Sequence, residues 1–358
     1  MTLFDSPAFE GHEGVHAFHD EETGLKAIVA VHSTARGPAA GGCRMWPYAT
    51  AAEALDDALK LSRAMSYKNA MADLDLGGGK SVIIGDSRTQ KTPALFEAFG
   101  RAVEGLGGKY WTAEDVGVSV ADLTHARRNT RYVAGLEGHD AASGDPSPVT
   151  AEGVFRGVRL CVQRAMKRDL DGVRVAIQGV GNVGGYLARK LHAAGARLVL
   201  TDVNAEMLRR VAAETDAEIV APGAIFDAEV DVFAPCALGG AVSLDTLSRI
   251  RAKIIAGGAN NQLADADAGR EIFRRGMLYA PDYVINGGGI INVAGEIRAL
   301  ERGEAFDPAW VDAKLDRLTL TLEEVLEQAV RERRPTNEVA NEIARARIQG
   351  AAEKRAAA

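Results

Sequence analysis

Two apolar rhythms run along the chain, and the places where one replaces the other mark its organisation. In the first part, residues 25–32 form a β-rich apolar run, followed by the loop-forming stretch Gly37-Pro38-Ala39-Ala40-Gly41-Gly42. Thr50 and Glu53 have the Thr-x-x-Glu spacing of a capping box. They open a helix with Leu55, Leu59 and residues 62–65 on one stripe and Lys68 near its C-terminal end. Gly77-Gly78-Gly79 reads as a glycine turn feeding the apolar strand 80–84, headed by Lys80. An alanine-rich helix over 92–105 precedes the run 109–115, which reads as a strand leading into a loop and ends in Asp115.

The stretch Gly144-Asp145-Pro146-Ser147-Pro148-Val149-Thr150 is dense in turn formers and marks a hinge or boundary. Beyond it, a helix over 151–167 gives way to strands alternating with helices, the pattern of a parallel sheet. Strands are predicted over 173–177, 197–201, 231–235, 253–256 and 283–285, with a third glycine cluster over 286–293. Asp307-Pro308 caps a long helix with Val311, Leu315, Leu318, Leu322, Val325 and Ala329 on its inner stripe; Pro335 ends it. A last helix rich in Ala, Arg and Glu closes the chain, and residues 350–358 are expected to fray. The fold class is therefore α/β with two domains, residues 1–143 and a Rossmann-type dinucleotide-binding domain over 144–334. The helix over about 335–358 is expected to pack back on the first.

Composition narrows the partners. With 358 residues, 25% charged and a net charge of −7, the composition argues against a dedicated nucleic-acid surface or a basic membrane patch. Cys43, Cys161 and Cys236 lack CxxC spacing and read as reduced thiols, and the seven histidines lack metal-ligand spacing, so no metal is expected. The N-terminal residues do not resemble a signal peptide, and the cytoplasm is the expected location. Gly79-Lys80-Ser81 invites a phosphate-loop reading, but that motif needs a glycine where Leu74 stands and a helix where a strand follows.

The most specific chemical signal is an ordered unit: strand 173–177, Gly179-Val180-Gly181-Asn182-Val183-Gly184, helix 186–194, strand 197–201 and then Asp202. The first two glycines let the backbone turn and approach a pyrophosphate, Gly184 lets helix and strand pack, and the helix N-terminus faces the phosphates. Asp202 is placed to accept hydrogen bonds from a ribose, and its charge disfavours a 2′-phosphate, so NAD is expected over NADP. The polar loop with Asn260 and Asn261 follows strand 253–256 and should face the cofactor.

Lys68, Lys80 and Asp115 beside closely approachable backbone suit a small anionic substrate. Joined to a nicotinamide-binding half, they suggest hydride transfer on a small carboxylate. No histidine is placed as a hydroxy-acid dehydrogenase requires, whereas lysine as base suits oxidation of an amino acid.

These residues also carry a resemblance. Residues 37–42, Met65-Ser66-Tyr67-Lys68, Gly77-Gly78-Gly79-Lys80, Thr112-Ala113-Glu114-Asp115-Val116-Gly117, the glycine motif at 179–184 and Ala259-Asn260-Asn261 occur in the order found in the Glu/Leu/Phe/Val dehydrogenases. The chain resembles that family over nearly its whole length, with the leucine-type branch nearest. The resemblance implies that Lys68 holds the substrate carboxylate and that Lys80 activates the water attacking the imino carbon. Asp115 would exchange a proton with the amino group and the developing carbinolamine. Gly41, Gly42 and Met65 fall in substrate-binding positions, and Thr150 and Asn261 match residues that orient the nicotinamide and its ribose. It also implies an active site in the cleft between the domains and a homo-oligomer built through the first.

Glutamate-specific members place a lysine where Ala40 stands and a hydroxyl residue where Val293 stands. Ala40, Ala113, Ile290 and Val293 are apolar here, so an apolar side chain is expected, leucine or valine first, with phenylalanine or broad specificity as the alternative. A non-catalytic NAD-sensing protein and a hydroxy-acid enzyme are the readings from other classes.

Overall fold

The computed structural model describes residues 3–357, which form two compact units. The first runs to Asp145 and takes in residues 292–310 and the chain from Ala344; the second holds 146–291 and 311–343. Residues 292–310 thus lie in the first unit although they fall inside the sequence span 144–334.

In the first unit, β1 (Gly14–Asp20), β2 (Leu25–Ser33) and β3 (Ala39–Trp46) lead to α1 (Ala51–Met71) and β4 (Gly77–Ile84). Then follow α2 (Pro93–Glu104), β5 (Tyr110–Glu114) and α3 (Val120–Ala126). The sheet order is β1-β2-β4-β3-β5. Ala54, Ala58 and Leu59 of α1 pack with Ala30 and Val82 on one face. Phe96, Phe99 and Val103 of α2 and Leu123 of α3 pack with Val29, Ile83 and Tyr110 on the other.

Two stretches expected as glycine loops are strand. Ala39–Gly42 begin β3 and Gly77–Gly79 begin β4. The glycines at 77–79 serve close approach rather than turning. A Cβ on Gly77 would strike the Ser33 carbonyl, one on Gly78 the backbone of Ser66 in α1, and one on Gly79 the ring of Tyr110. The cap of α1 is also shifted from the expected box. Thr50 Oγ1 accepts from the Glu53 amide at 3.2 Å, but the Glu53 carboxylate takes the Ala49 amide at 3.1 Å rather than that of Thr50.

The second unit opens with α4 (Ser147–Met166), which starts inside the expected hinge, with Pro148 in the first turn where its missing N–H leaves nothing unpaired. Then come β6 (Arg174–Gln178), α5 (Asn182–Ala193), β7 (Arg197–Thr201), α6 (Ala205–Thr215), β8 (Glu218–Ile219), β9 (Val232–Pro235) and α7 (Leu244–Arg249). After these come β10 (Ile254–Ile255), α8 (Ala266–Arg274), β11 (Leu278–Tyr279), α9 (Asp282–Ile285) and α10 (Gly288–Arg302). The long helices α11 (Pro308–Glu332) and α12 (Thr336–Ala357) close the chain.

All pairings in this sheet are parallel. Its order, β11-β10-β9-β6-β7-β8, runs outward one way from β6 and then returns to run outward from β9. That reversal is the switch point of a doubly wound sheet.

Residues 283–285 are helical, not strand. Pro281 starts the turn, and the Asp282 carboxylate takes the Gln262 and Tyr283 amides, holding the segment in a helical turn. The glycine cluster after it supplies the first turn of α10, where a Cβ on Gly288 would strike Val149. The predicted stripe of α11 is buried throughout, and Asp307 Oδ1 caps it by accepting from the Ala309 and Trp310 amides. The tail does not fray through its described part. Helix α12 continues to Ala357, and Arg355 donates to the Thr34 carbonyl at 2.8 Å; Ala358 lies outside the described residues.

A histidine pair sits under α1. His12 Nε2 is 3.0 Å from the Leu59 carbonyl, His32 Nδ1 is 2.7 Å from Ser66 Oγ, and the rings meet edge to face at 4.9 Å. Burial, reinforced by the neighbouring His12, pushes the His32 imidazole down from 6.5 to about 4, and Glu13 opposes this only in part. Between those two values the unfolded chain takes up a proton that the folded one refuses, so stability falls as pH drops through the window. The melting temperature should decline from pH 6.5 toward pH 4, and His32→Gln, which can still reach Ser66, should flatten that decline. An unchanged slope in the variant contradicts this.

Candidate active site

Lys80 Nζ lies 2.5 Å from Asp115 Oδ2, and the lysine side chain is only 8% exposed. Alternation along β4 explains its direction. Gly78 faces Ser66 of α1 and Val82 packs with Ala58 and Leu59, so Lys80, between them on the same face, lies beneath that helix. Asp115 follows β5 in a tight turn closed by the Val118 amide on the Asp115 carbonyl at 2.9 Å. Gly117, at φ +80°, turns the chain there, and the Met45 amide ties Val116 to β3.

Three residues the sequence reading missed complete this cluster. Arg44 Nε is 3.3 Å from the same Asp115 oxygen, and its Nη1 is 3.0 Å from Asp57 Oδ2 on α1. Tyr48 donates its hydroxyl to that Asp57 oxygen at 2.5 Å. The legible signal was an arginine between Cys43 and Met45, both fully buried, in the middle of an apolar strand. Burial alone would raise the Asp115 carboxyl, but Lys80 and Arg44 outweigh it and hold the group below its ordinary range. Its neighbour Glu114 goes the other way, pushed up by burial and by Asp145, Glu137 and Asp115.

Of the other expected substrate residues, Gly42 lies against Asp115, and Ala40, Gly41 and Ala113 lie in the adjoining strand positions. A Cβ on Gly42 would strike the Glu114 carbonyl and come within 2.9 Å of Asp115 Cβ, and one on Gly41 would strike the Gly79 carbonyl, so both glycines let the neighbouring backbone approach closely. Gly42 pairs with Ala113, and Ala40 lies between Gly78 and Trp111. Lys68 is half-buried in the last turn of α1, one turn beyond Met65. Ile290 and Val293 are half-buried, one turn apart on α10. Within the first unit that helix is pinned by Asn292, which donates to the Ser143 carbonyl at 3.1 Å. Buried Glu296 accepts from the Leu136 amide at 3.2 Å and from the Ser143 hydroxyl at 2.6 Å.

In the second unit, the carboxyl ends of β6, β7 and β9 border a cavity of about 310 Å³ lined by Gln178, Gly179, Thr201, Asp202, Ala237 and Leu238. Gln178 Oε1 and Thr201 Oγ1 are buried there without a hydrogen-bond partner in the protein. The three motif glycines have separate reasons. Gly179 has φ +94°, and a Cβ on Gly184 would strike the Gly179 carbonyl. A Cβ on Gly181, the N-cap of α5, would meet nothing, leaving the start of the helix open to a ligand.

Asn182 and Val183 begin α5, where backbone amides lack helical acceptors. Asp202 Oδ2 accepts from the Val180 amide at 2.7 Å and Oδ1 from the Asn204 amide at 2.8 Å, so the acid braces the glycine turn as well as closing the cavity. Asn261 adopts φ +50°, Asn260 Oδ1 accepts from Asn286 at 2.9 Å, and Thr150 donates to the Pro146 carbonyl at 2.9 Å. An open helix N-terminus next to orphaned polar atoms fits a dinucleotide. Among the described residues no group of His, Cys, Asp and Glu is arranged to hold a metal ion, and no helix is long and apolar enough to cross a membrane.

Comparison with known proteins agrees with this geometry. Residues 12–132 match the family described as Glu/Leu/Phe/Val dehydrogenase, dimerisation domain, and residues 144–205 and 200–356 match Glutamate/Leucine/Phenylalanine/Valine dehydrogenase. The chain is 47% identical over 350 residues to leucine dehydrogenase of Geobacillus stearothermophilus, covering 98% of this chain and 94% of that protein. It is 43% identical over 360 residues to valine dehydrogenase of Streptomyces virginiae, covering 98% and 97%. The crystal structure of L-tryptophan dehydrogenase from Nostoc punctiforme superposes with a TM-score of 0.83 at 38% identity, covering 95% of this chain and 97% of that one.

The open space at Gly181 gives a clean test. Gly181→Ala should lower the melting temperature only modestly, because the methyl meets no protein atom and the loss is that of a poorer N-cap. Dinucleotide binding, read by fluorescence titration, should weaken about tenfold or more, as one obstructing methyl costs roughly 1–3 kcal/mol in a fitted site. Unaltered affinity would show that no ligand approaches there.

Proposed function

The chain belongs to the glutamate/leucine/phenylalanine/valine dehydrogenase family, and we propose that it oxidatively deaminates an apolar L-amino acid, leucine or valine foremost, in an NAD-dependent and reversible reaction. The products are the 2-oxo acid, ammonia and NADH. As a member of this family it is an amino acid dehydrogenase. The observation that carries the finer reading is the Lys80–Asp115 pair, its lysine buried, with the uncharged, buried Ala40 and Ala113 in the adjoining strands.

In this reading Lys68 pairs with the substrate carboxylate and fixes the α-carbon. Asp115 exchanges a proton with the substrate amino group, holding it neutral while the C–H bond breaks. When bound, the nicotinamide supplies the acceptor for the hydride leaving Cα. Lys80 then takes a proton from the water that attacks the imino carbon, and Asp115 protonates the departing ammonia. The dinucleotide is held by Gly179, Gly181, Asn182, Val183 and Gly184, with Asp202 at the adenosine ribose and Thr150, Asn260 and Asn261 toward the nicotinamide. The fit of the open helix start and the partnerless Gln178 and Thr201 oxygens supports this assignment.

Specificity follows from what Ala40, Ala113, Ile290 and Val293 lack. A side-chain carboxylate against them would be buried unpaired, a penalty of several kcal/mol and on the order of thousandfold discrimination. Small Ala40 also widens the pocket, which favours phenylalanine or broad specificity as the second reading. A methylene changes the choice by only about 1–3 kcal/mol. The free thiols Cys43, Cys161 and Cys236 suit a reducing cytoplasm, and the dimerisation-domain match supports a homo-oligomer built through the first unit.

Initial rates of NADH formation at alkaline pH should be highest with L-leucine or L-valine and about a thousandfold lower in kcat/KM with L-glutamate; glutamate as the best substrate would overturn the pocket assignment. Lys80→Ala should abolish turnover while NADH still binds. Asp202→Ser should raise the ratio of NADP to NAD usage by about tenfold or more, because it removes the charge that repels a 2′-phosphate. A ratio unmoved by this change would take Asp202 out of cofactor selection.

A further inference from the structure

The base assigned to Lys80 raises a difficulty that the Lys80–Asp115 pair cannot resolve alone. Lysine acts as a base only in its neutral form, reached by releasing its proton to solvent, and at that moment Asp115 loses that cation. A carboxylate left unpaired in a site this enclosed is costly, and its charge would hold the proton on the lysine.

The geometry points to Arg44 as the positioning residue that keeps Asp115 paired and aimed while Lys80 changes charge. Its Nε lies 3.3 Å from Oδ2, the oxygen that Lys80 contacts at 2.5 Å, so one oxygen serves both cations. The guanidinium does not titrate in the working range. It is itself fixed from α1, since Nη1 is 3.0 Å from Asp57, whose other partner is the Tyr48 hydroxyl at 2.5 Å.

The charged and titratable groups around Asp115 are Lys80 from β4, Arg44 and Cys43 from β3, and its chain neighbour Glu114, with Asp57 and Tyr48 behind the arginine. Of these only Lys80 and Arg44 are cations. Burial keeps the Cys43 thiol neutral, pushed up to about 12. Of the two cations that hold Asp115 down, Arg44 is therefore the one still charged once Lys80 is neutral, and burial pushes that carboxyl up rather than down.

The proposal rests on the Lys80–Asp115 reading, and the test keeps the two apart. The pH dependence of kcat and kcat/KM with L-leucine and NAD is measured for the full-length wild type and for Arg44→Met, Arg44→Lys, Asp57→Asn and Lys80→Ala. Losing a cation makes every neighbouring proton harder to remove. In Arg44→Met the acid limb of kcat/KM should move up by about one pH unit and plateau kcat should fall about 10- to 100-fold, with NADH affinity unchanged. Arg44→Lys should return the limb to its wild-type pH while kcat stays lowered, because it restores charge without the arginine's fork. Asp57→Asn should lower kcat by loosening the arginine.

A wild-type profile in a folded Arg44→Met, or a limb shift that Arg44→Lys leaves uncorrected, overturns the role of Arg44. Should Arg44→Met not fold, wild-type kcat in both Arg44→Lys and Asp57→Asn overturns it. An active Lys80→Ala would instead remove the base itself.

Discussion

A lysine ammonium and a carboxylate 2.5 Å apart beneath a helix are the constraint the first unit is built to satisfy. Taking both ions out of water costs several kcal/mol each, and removing one partner from such a pair costs about 3–5 kcal/mol. The surroundings offset this in two ways. Gly78 lets α1 come down on the start of β4 at backbone distance, while Gly77 and Gly79 admit the Ser33 carbonyl and the Tyr110 ring. Arg44, Asp57 and Tyr48 continue the pair into a chain of charges and hydrogen bonds that ties β3 to α1 and leaves Asp57 and Asp115 each with a cation. Position, burial and charge balance at the site thus come from the same few strands.

The second unit solves a different problem, presenting backbone amides to an anion. Each motif glycine answers a separate need: positive φ at Gly179, open space at Gly181 and helix-to-strand contact at Gly184. Asp202 works in both directions, with one oxygen bracing the Val180 amide and the other the Asn204 amide, so the turn keeps its shape and the carboxylate is held at the cavity. In the proposed reading Ala40, Ala113, Ile290 and Val293 offer no charge to a substrate side chain, and desolvation would make that lack selective.

Much of this was readable in the sequence where one residue type has one physical use. The dinucleotide unit was legible because strand, glycine turn, helix, strand and acid follow each other without interruption, and the stripe of α11 because its period is unbroken over many turns. Gly77–Gly79 misled because a run of glycines signals a turn and close packing equally well, and only the position of Ser66 and Tyr110 decides between them. Residues 283–285 misled because a short run of one aromatic and two β-branched residues carries no period, and Pro281 with Asp282 settles it as helix. Arg44 and Glu296 were missed for a common reason. Each acts through partners distant in sequence, Asp57 and Asp115 for one and Leu136 and Ser143 for the other, and no local spacing announces them.

The central claim is that a hydride leaves the α-carbon of an apolar L-amino acid held in this site. It is tested most directly by supplying L-leucine deuterated at Cα together with NAD and weighing the reduced dinucleotide by mass spectrometry. The account predicts NADH one mass unit heavier, formed in equal amount with the 2-oxo acid and ammonia. Reduced dinucleotide without the label, or none at all from any apolar amino acid, would contradict it.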